Sequence, residues 1–393
     1  MVRTGLDIVL ERGLRLPGKG RAGLLCNHAT VDPSLRGAPE LLAQTRGIIL
    51  DRLFSPQHGF AAEKQDNMVE SGHDVHGPTG LPIWSLYGDV REPLPEMLEG
   101  LDAILIDVPD VGTRVYTFLV TALYLLREAG RRGIPVWILD RPNPIGGNLC
   151  DGPLLAPAFT SFVGYAPVPL QHGLTAGEYC RFGMRALRLP AELHVVAVEG
   201  WRRDRLFDAT GLPWVMPSPN MPTLETALVF PGGVMLEGTN LSEGRGTTRP
   251  FELFGAPWVN PGRVRRRVAT WAEHEPALRG FHLRIAGFEP TFHKFRGQMV
   301  RGFQLHVTDR SAFRPVLAYL AVFCALRAEH PEFAWREPPY EYETERSPID
   351  LILGTDRVRI ALDDGATPSD LLALWRDDLA RFEADRRADL LYD

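Results

Sequence analysis

The sequence predicts an α/β protein in which a Rossmann-like open parallel sheet is followed by a second, smaller α+β domain. Four short apolar runs in the first half, a strongly apolar helical stretch between two of them, and alternating strand-like and helix-like segments in the last third support this class. The chain has 393 residues, whereas a domain usually spans about 100 to 200. We therefore expect two domains, residues 1–250 with the polar strand-end motifs and residues 251–393 closing a cleft.

The predicted parallel strands are the apolar runs at residues 22–28, 47–56, 101–110 and 134–141. Runs that are apolar on both faces are typical of parallel strands covered by helices on each side. Residues 116–133 are apolar for most of three turns and end in Arg-Arg-Gly, which predicts a crossover helix. Such a βαβ unit places the ligand crevice beyond the carboxyl ends of the strands.

Polar side chains follow each of these runs. They are Asn27 and His28, Gln57 and His58, Asp107 and Asp110, and Asp140, Arg141 and Asn143. Any one of them is equally explained as a helix cap or a turn residue. Polar residues at four converging strand ends would form one site. The prediction of a site therefore depends on all four strand ends together, not on any single residue.

The second half begins with Pro- and Gly-rich sequence. Residues 215–223 and 230–252 predict a long ordered loop of the kind that is usually functional. Beyond it, strand and helix patterns end in an amphipathic helix at residues 368–387, and together they predict the smaller α+β domain.

Composition argues against several classes of partner. The net charge of -6 gives no electrostatic reason to expect a nucleic acid or an anionic membrane surface. The four cysteines form no CxxC pair, so buried free thiols are expected rather than zinc or disulfides. Neither a signal peptide nor an apolar run of about 18 residues is present, which predicts a cytoplasmic protein without a membrane span. The oligomeric state is not predicted.

No cofactor is predicted. A G-x-G-x-x-G motif does not follow the first strand and there is no P-loop, so the glycines that would cradle a nucleotide phosphate are missing. His73 and His76 are three residues apart, but flanking Gly and Pro favour a loop and no fourth ligand has a fixed spacing. A metal-dependent hydrolase using these two with His58 is therefore a weaker alternative, and no metal site is predicted.

The densest polar region is residues 237–252. Glu237, Asn240, Glu243 and Arg245 lie in a loop whose glycines allow close approach of the backbone to a ligand. Guanidinium and amide groups suit an acidic, hydroxyl-rich molecule. An ordinary Glu-Arg salt bridge on the surface is the alternative.

A second polar cluster occupies residues 169–179. Thr175 and Glu178 predict a capping box at a helix start, which leaves His172 without a capping role.

Six segments together resemble the DUF1343 family, which is associated with exo-acting β-N-acetylmuramidases of bacterial cell-wall turnover, the NamZ type. The segments are FSPQHGF, IDVPDVGTRVYTF, LDRPNP, LQHGLTAGE, PSPNMPT and EGTNLSEGRGTTRPFE, in this order. The resemblance implies a Rossmann-like domain, a smaller domain and a site in the cleft between them. It also implies release of N-acetylmuramic acid from the non-reducing end of peptidoglycan fragments, by enzymes of which many are exported.

One residue departs from the family pattern. Family members commonly read Pro-Glu-His-Gly, with the Glu as the favoured catalytic acid, whereas this chain has Gln57. An amide cannot donate the proton that glycosidic cleavage requires. Another carboxyl group then supplies the proton, or Gln57 orients the substrate acetamido group in a substrate-assisted reaction, or this chain binds or transforms a different sugar acid.

The leading hypothesis is a glycoside hydrolase acting on an N-acetylmuramyl terminus. We expect Asp110 and Glu243 to share the acid and base work, with His58 assisting and Gln57 beside it. The expected substrate-binding residues are Asn27, Arg114, Tyr116, Asp140, Arg141, Asn143, His172, Asn220, Glu237, Asn240 and Arg245. The alternative is a non-catalytic muropeptide or sugar-acid binding protein that has kept the pocket.

Overall fold

The computed structural model describes residues 2–66 and 68–393. Its largest sheet has seven strands in the order β3-β4-β2-β1-β5-β6-β9, and all neighbours are parallel except β3 and β4. Its strands are β1 (Arg21–Leu25), β2 (Ile49–Ser55), β3 (Asp74–Val75), β4 (Pro82–Ser85), β5 (Ala103–Ile106), β6 (Val136–Leu139) and β9 (Leu193–Val196). The remaining strands are β7 (Asp151–Leu154) and β8 (Pro169–Gln171), which pair with each other, and β10 (Leu253–Ala256), β11 (Phe281–Phe288) and β12 (Val300–Val307).

The α-helices alternate with these strands and then follow them. They are α1 (Gly5–Arg12), α2 (Ala38–Ala43), α3 (Pro95–Leu98), α4 (Phe118–Gly130), α5 (Ala176–Leu187), α6 (Leu224–Gly233), α7 (Pro261–Ala272), α8 (Pro315–Glu329), α9 (Pro348–Leu353), α10 (Arg357–Asp363), α11 (Pro368–Ala373) and α12 (Arg376–Asp385). Short 3-10 helices cover Pro157–Phe159, Phe207–Ala209, Val234–Gly238 and Arg386–Ala388.

Helices cover both faces of the large sheet. Leu24 and Leu105 point to the face that packs on α1 and α2, whereas the adjacent Leu25 and Ile106 point to the face that packs on α4 and α5. Alternate residues of a strand face opposite sides, so strands buried on both sides must be apolar throughout. The four predicted strands and the crossover helix α4 are confirmed, and with them the Rossmann-like α/β class.

The C-terminal half is built on a small antiparallel sheet in the order β10-β12-β11. Helix α8 is apolar on all sides and buried from Pro315 to Leu326, as expected of a helix enclosed by other elements. The same hydrophobic core contains Leu25 of the large sheet and Phe303 of the small one, so the two halves share a continuous interior.

Two predicted features differ from the structure. The expected loop at residues 230–252 begins as helix, because α6 and the following 3-10 helix bury nearly every side chain and accommodate Pro231. The expected terminal helix is split into α11 and α12 at Trp375, whose indole is buried and donates to Asp151 at 3.4 Å. Burial of apolar surface outweighs the local preference for a loop in the first place and for a continuous helix in the second.

Two other predictions are confirmed. Thr175 and Glu178 form a reciprocal capping box at the start of α5. All four cysteines are free and buried. Within the described residues, no helix combines the length and the apolarity needed to cross a membrane.

A hydrogen bond from Tyr392 supports the carboxyl end of the large sheet. Its hydroxyl donates to Asp140 Oδ2 at 2.6 Å, directly after β6, and Asp140 is completely buried. Tyr392→Phe removes one of the two hydroxyl donors to Asp140 Oδ2, with Thr175 remaining, and takes away the acceptor of the Val198 backbone N–H. Losing these bonds costs about 1 to 3 kcal/mol in the free energy of unfolding. Denaturant titration measures the loss. The control, Tyr342→Phe, removes a hydroxyl from a side chain that is 46% exposed, and equal stability of the two variants would contradict the assignment.

Candidate active site

A cleft of about 500 Å³ lies beyond the carboxyl ends of β2 and β5 and is closed by the C-terminal half. It combines carboxylate, amide, imidazole and guanidinium groups with aromatic walls. Its lining residues are Gln57, His58, Val115, Tyr116, Thr117, Phe118, Val163, Ser218, Asn220, Met221, Phe230, Val234, Glu237, Arg245, Phe251, Tyr340 and Glu341. Six of the predicted site residues therefore meet here, namely Gln57, His58, Tyr116, Asn220, Glu237 and Arg245.

Gln57 contacts a carboxylate from the other end of the chain. Its Nε2 donates to Glu341 Oε1 at 3.1 Å, while its Oε1 accepts from the Thr117 hydroxyl at 2.6 Å. An ionised Glu341 carboxylate can only accept, so the amide nitrogen of Gln57 faces it and the amide oxygen faces the Thr117 hydroxyl. Tyr87 donates its phenolic hydroxyl to Glu341 Oε2 at 2.6 Å, so each carboxyl oxygen of Glu341 has one donor.

The carboxyl group of Glu341 has a pKa above the usual range of a glutamate. Burial, reinforced by the negative charge of Glu237, raises the pKa of Glu341 to about 7, although the hydrogen bonds from Tyr87 and Gln57 act in the opposite direction. The residue is 7% exposed and has a left-handed φ of 46°, which few non-glycine residues adopt. Carboxyl groups that keep a proton near neutral pH are typical of general acids in glycosidases.

Arg245 joins the cleft to a buried ionic cluster. Its Nη2 donates to Glu237 Oε1 at 2.7 Å, and Tyr340 donates its hydroxyl to Glu237 Oε2 at 2.8 Å. Glu237 and Arg245 are both nearly inaccessible, being 3% and 6% exposed. A guanidinium held against a carboxylate in a water-poor setting is fixed in position, so it can present its remaining N–H groups to a ligand without reorganising.

Glu243 lies behind Arg245 and does not line the cleft. Its carboxylate is 0% exposed and lies 2.9 Å from His293 Nδ1, 3.1 Å from Lys294 Nζ and 3.4 Å from Arg245 Nε. Burial alone would raise the pKa of Glu243, but these cations hold it well below its usual range. An ion this firmly paired has no proton to give at neutral pH, so the geometry argues against the expected acid role and supports a structural one.

His58 is a neutral hydrogen-bonding group. Burial lowers the pKa of His58 to about 4, and its backbone has a left-handed φ of 75°. Its Nδ1 lies 2.7 Å from the Lys64 carbonyl oxygen, which can only accept, so Nδ1 carries the hydrogen and Nε2 has a lone pair. Backbone strain of this kind is often found where a side chain is held for function.

Asn220 and Tyr116 complete the polar lining. Asn220 Nδ2 donates to the Gln65 carbonyl oxygen at 2.6 Å, and the Tyr116 ring packs edge to face on Phe230. Among the described residues no donor to the Asn220 amide oxygen is found, which leaves that oxygen for a ligand N–H or hydroxyl.

Asp110 and Arg141 line a neighbouring hollow of about 560 Å³ with Trp214 and several prolines. Asp110 Oδ2 accepts from the Gly112 backbone N–H at 2.6 Å and lies 3.3 Å from His172 Nε2. The structure thus separates Asp110 from Glu237 and Glu341, and Arg141 is paired with the buried Asp107 at the same edge.

Six predicted substrate-binding residues line neither cavity, because their side chains are used within the fold. They are Asn27, Arg114, Asp140, Asn143, His172 and Asn240. The three asparagines donate their amide N–H groups to backbone carbonyls, and Arg114 donates to three such carbonyls. Asp140 accepts from the first turn of α5. His172 accepts a backbone N–H at Nδ1.

Sequence reasoning did not identify Glu341, Tyr340 or Tyr87. Residues 338–343 read Pro-Pro-Tyr-Glu-Tyr-Glu, and this alternation of aromatic and acidic residues outside a helix was the available signal. It is weak, because nothing local indicates that Glu341 reaches Gln57.

No group of three or more His, Cys, Asp or Glu side chains in residues 2–66 and 68–393 is arranged to hold a metal ion. His73 instead accepts the Ser85 backbone N–H at 3.0 Å through Nδ1, and His76 contacts Thr79.

Known proteins resemble the chain over its full length. Two family models match it, described as the N-terminal and C-terminal parts of exo-β-N-acetylmuramidase NamZ, over residues 22–225 and 228–392. The peptidoglycan β-N-acetylmuramidase NamZ of Bacillus subtilis (strain 168) is 39% identical over 397 aligned positions, covering 100% of this chain and 91% of that protein.

Two crystal structures of DUF1343 family proteins from Bacteroides fragilis NCTC 9343 have the same fold. One gives a TM-score of 0.85 at 28% identity, and the other 0.76 at 25%, each covering 100% of this chain and 99% of its own.

The cleft lies beyond the C-terminal ends of the strands of a Rossmann-like sheet and is lined by the carboxyl groups of Glu237 and Glu341. This arrangement is typical of α/β proteins that bind a small polar molecule. Because the two family models cover most of the sequence, the chain belongs to the NamZ family of exo-β-N-acetylmuramidases. The models meet between residues 225 and 228, and the boundary expected after residue 250 stays a prediction.

Glu243→Gln tests the structural role of the ionic cluster. The substitution removes the anion that the buried Arg245 shares with the partly buried Lys294, and breaking a buried pair in this way costs about 3 to 5 kcal/mol. We expect a lower midpoint of denaturant unfolding. Glu345→Gln, at an exposed residue, is the control, and a Glu243→Gln protein as stable as this control would contradict the role.

Proposed function

We propose that this chain is a glycoside hydrolase that releases N-acetylmuramic acid from the non-reducing end of peptidoglycan fragments, and that the reaction occurs in the cleft between Gln57 and Arg245. Family membership along the chain supports the activity. The observation that supports the location is the meeting of Glu237, Glu341 and Arg245 in one enclosed space.

The chemistry of the cleft suits the muramyl sugar. N-acetylmuramic acid carries a lactyl carboxylate and an acetamido group, so its recognition requires a cation and an amide or hydroxyl partner. We assign the carboxylate to Arg245, whose Nη1 has one hydrogen bond within the described residues, a bond of 3.3 Å to the Gln65 carbonyl oxygen. The acetamido N–H is assigned to the oxygen of Asn220, and a sugar hydroxyl to His58 Nε2. Tyr116 provides an apolar wall.

Gln57 favours a second candidate, a sugar-acid binding protein without turnover, because this chain has an amide where the family resemblance implies a catalytic Glu. Both of its hydrogen-bonding ends are engaged by Thr117 and Glu341. An amide held in this way is a positioning group, which is compatible with hydrolysis if another group carries the proton.

The small sugar or muropeptide is the only partner that we assign. A cytoplasmic location, and with it salvage of imported fragments, stays a prediction.

Substrate discrimination tests the proposed function. We expect purified protein to release the chromophore from an aryl β-N-acetylmuramide at a kcat/KM about 10- to 150-fold above that for the matching β-N-acetylglucosaminide. The two differ only in the lactyl ether, and the factor corresponds to about 1.5 to 3 kcal/mol for one charge-assisted hydrogen bond.

The binding-protein alternative gives a different result. If neither glycoside is cleaved while free N-acetylmuramic acid raises the melting temperature, the pocket binds the sugar without turnover. Equal cleavage of both glycosides would contradict the assignment of Arg245 to the lactyl group.

A further inference from the structure

The carboxyl groups around the cleft differ in their counter-ions. Glu237 is paired with Arg245, and Glu243 contacts Arg245, Lys294 and the imidazole of His293, whereas Asp110 lies in the neighbouring hollow. Among the described residues Glu341 has no salt bridge, and its two direct polar contacts from side chains are neutral donors. It is therefore the cleft carboxyl group for which the protonated form costs least.

The hydrogen bonds of Glu341 hold it in place without neutralising it. Gln57 Nε2 and Tyr87 each donate to one carboxyl oxygen, and the Glu341 backbone N–H reaches Met68 Sδ at 3.2 Å. Each carboxyl oxygen keeps a second lone-pair position for a proton. These contacts also hold the backbone of Glu341 in a left-handed conformation that few non-glycine residues adopt.

We propose that Glu341 is the proton donor to the departing glycosidic oxygen and that Gln57 is its positioning residue. This inference rests on the proposed function and concerns which group carries out the acid step. Gln57 stands where the family resemblance implies a catalytic Glu, 284 residues before Glu341, and donates its amide hydrogen bond to the Glu341 carboxyl group.

Glu341 can both donate the proton that the reaction needs and recover one from water at its end. The bond between the anomeric carbon and the glycosidic oxygen breaks, its electron pair goes to the oxygen, and the Glu341 proton is transferred to that oxygen. A water oxygen then bonds to the anomeric carbon, and the proton that it loses returns Glu341 to its acid form. The products are free N-acetylmuramic acid and the shortened fragment, with one water consumed.

An amide at residue 57 has a specific consequence for this step. A glutamate there would place two carboxyl groups within 3.1 Å, and such a pair shares one proton. The amide Nε2 of Gln57 only donates, so the proton belongs to Glu341 alone. One group with a pKa of about 7 then sets the pH dependence, and kcat/KM falls as pH rises through this value because the acid form is lost.

Leaving-group dependence tests the proton donor. Glu341→Gln cannot protonate the departing oxygen, so kcat/KM for a muramyl disaccharide should fall by about 10² to 10⁴. A 4-nitrophenyl muramide has a leaving group that departs as an anion, and its kcat/KM should fall by about tenfold or less. The fall of kcat/KM with rising pH near pH 7 should also be absent in this variant. Glu345→Gln, an exposed change in the same segment, is the control for both substrates.

Gln57→Glu provides an independent readout. The added carboxylate disfavours ionisation of its neighbour, so the alkaline limb of kcat/KM should move to higher pH than in the parent protein. A limb that stays in place would contradict the direct coupling of these two residues.

The outcomes separate this inference from the proposed function. A parent protein that cleaves neither muramyl substrate defeats the proposed function itself. A parent that cleaves both, with a Glu341→Gln variant that loses the same factor on both or stays within about threefold of the parent, defeats only the role of Glu341. Melting temperatures of parent and variant show whether a uniform loss is a folding defect.

Discussion

The hydrogen bond between Gln57 and Glu341 is the contact on which the site depends, because it connects the end of β2 with the C-terminal segment across the cleft. Thr117, at the start of α4, fixes the amide, and Tyr87 holds the opposite oxygen of the carboxyl group. The two halves of the chain thus each contribute to one small polar arrangement, and neither half contains it alone. Burial makes these bonds strong and also makes the charged form of Glu341 costly.

The remaining polar groups divide into those that build the edge of the sheet and those that face the ligand. Asp140 and Arg114 belong to the first kind, since their polar atoms contact backbone and helix termini. Arg245 belongs to both, because Glu237 and Glu243 fix it while it lines the cleft. A buried cation held by two carboxylates is costly to assemble, and its retention is accounted for by the acidic sugar that we assign to it.

Much of the fold was predictable from the sequence, because parallel strands buried on both faces must be apolar throughout and the crossover helix ends in a recognisable stop. The strand-end rule also placed Gln57 and His58 at the edge of the sheet where the cleft lies. It did not separate Asn27 and Asn143, which serve turns, from residues that face the cleft, since both kinds occupy the same positions after a strand. Glu341 was missed because its role arises from a long-range contact and a left-handed backbone that no local pattern encodes.

The location of the bound sugar tests the central claim most directly. A crystal structure of the parent protein with a thio-linked muramyl disaccharide, which resists cleavage, shows the linking atom in place. The account predicts that the Glu341 carboxyl group lies within one hydrogen bond of that atom, with the lactyl carboxylate on Arg245. A disaccharide seated in the hollow beside Asp110 and Trp214, with Glu341 remote from the linkage, would contradict it.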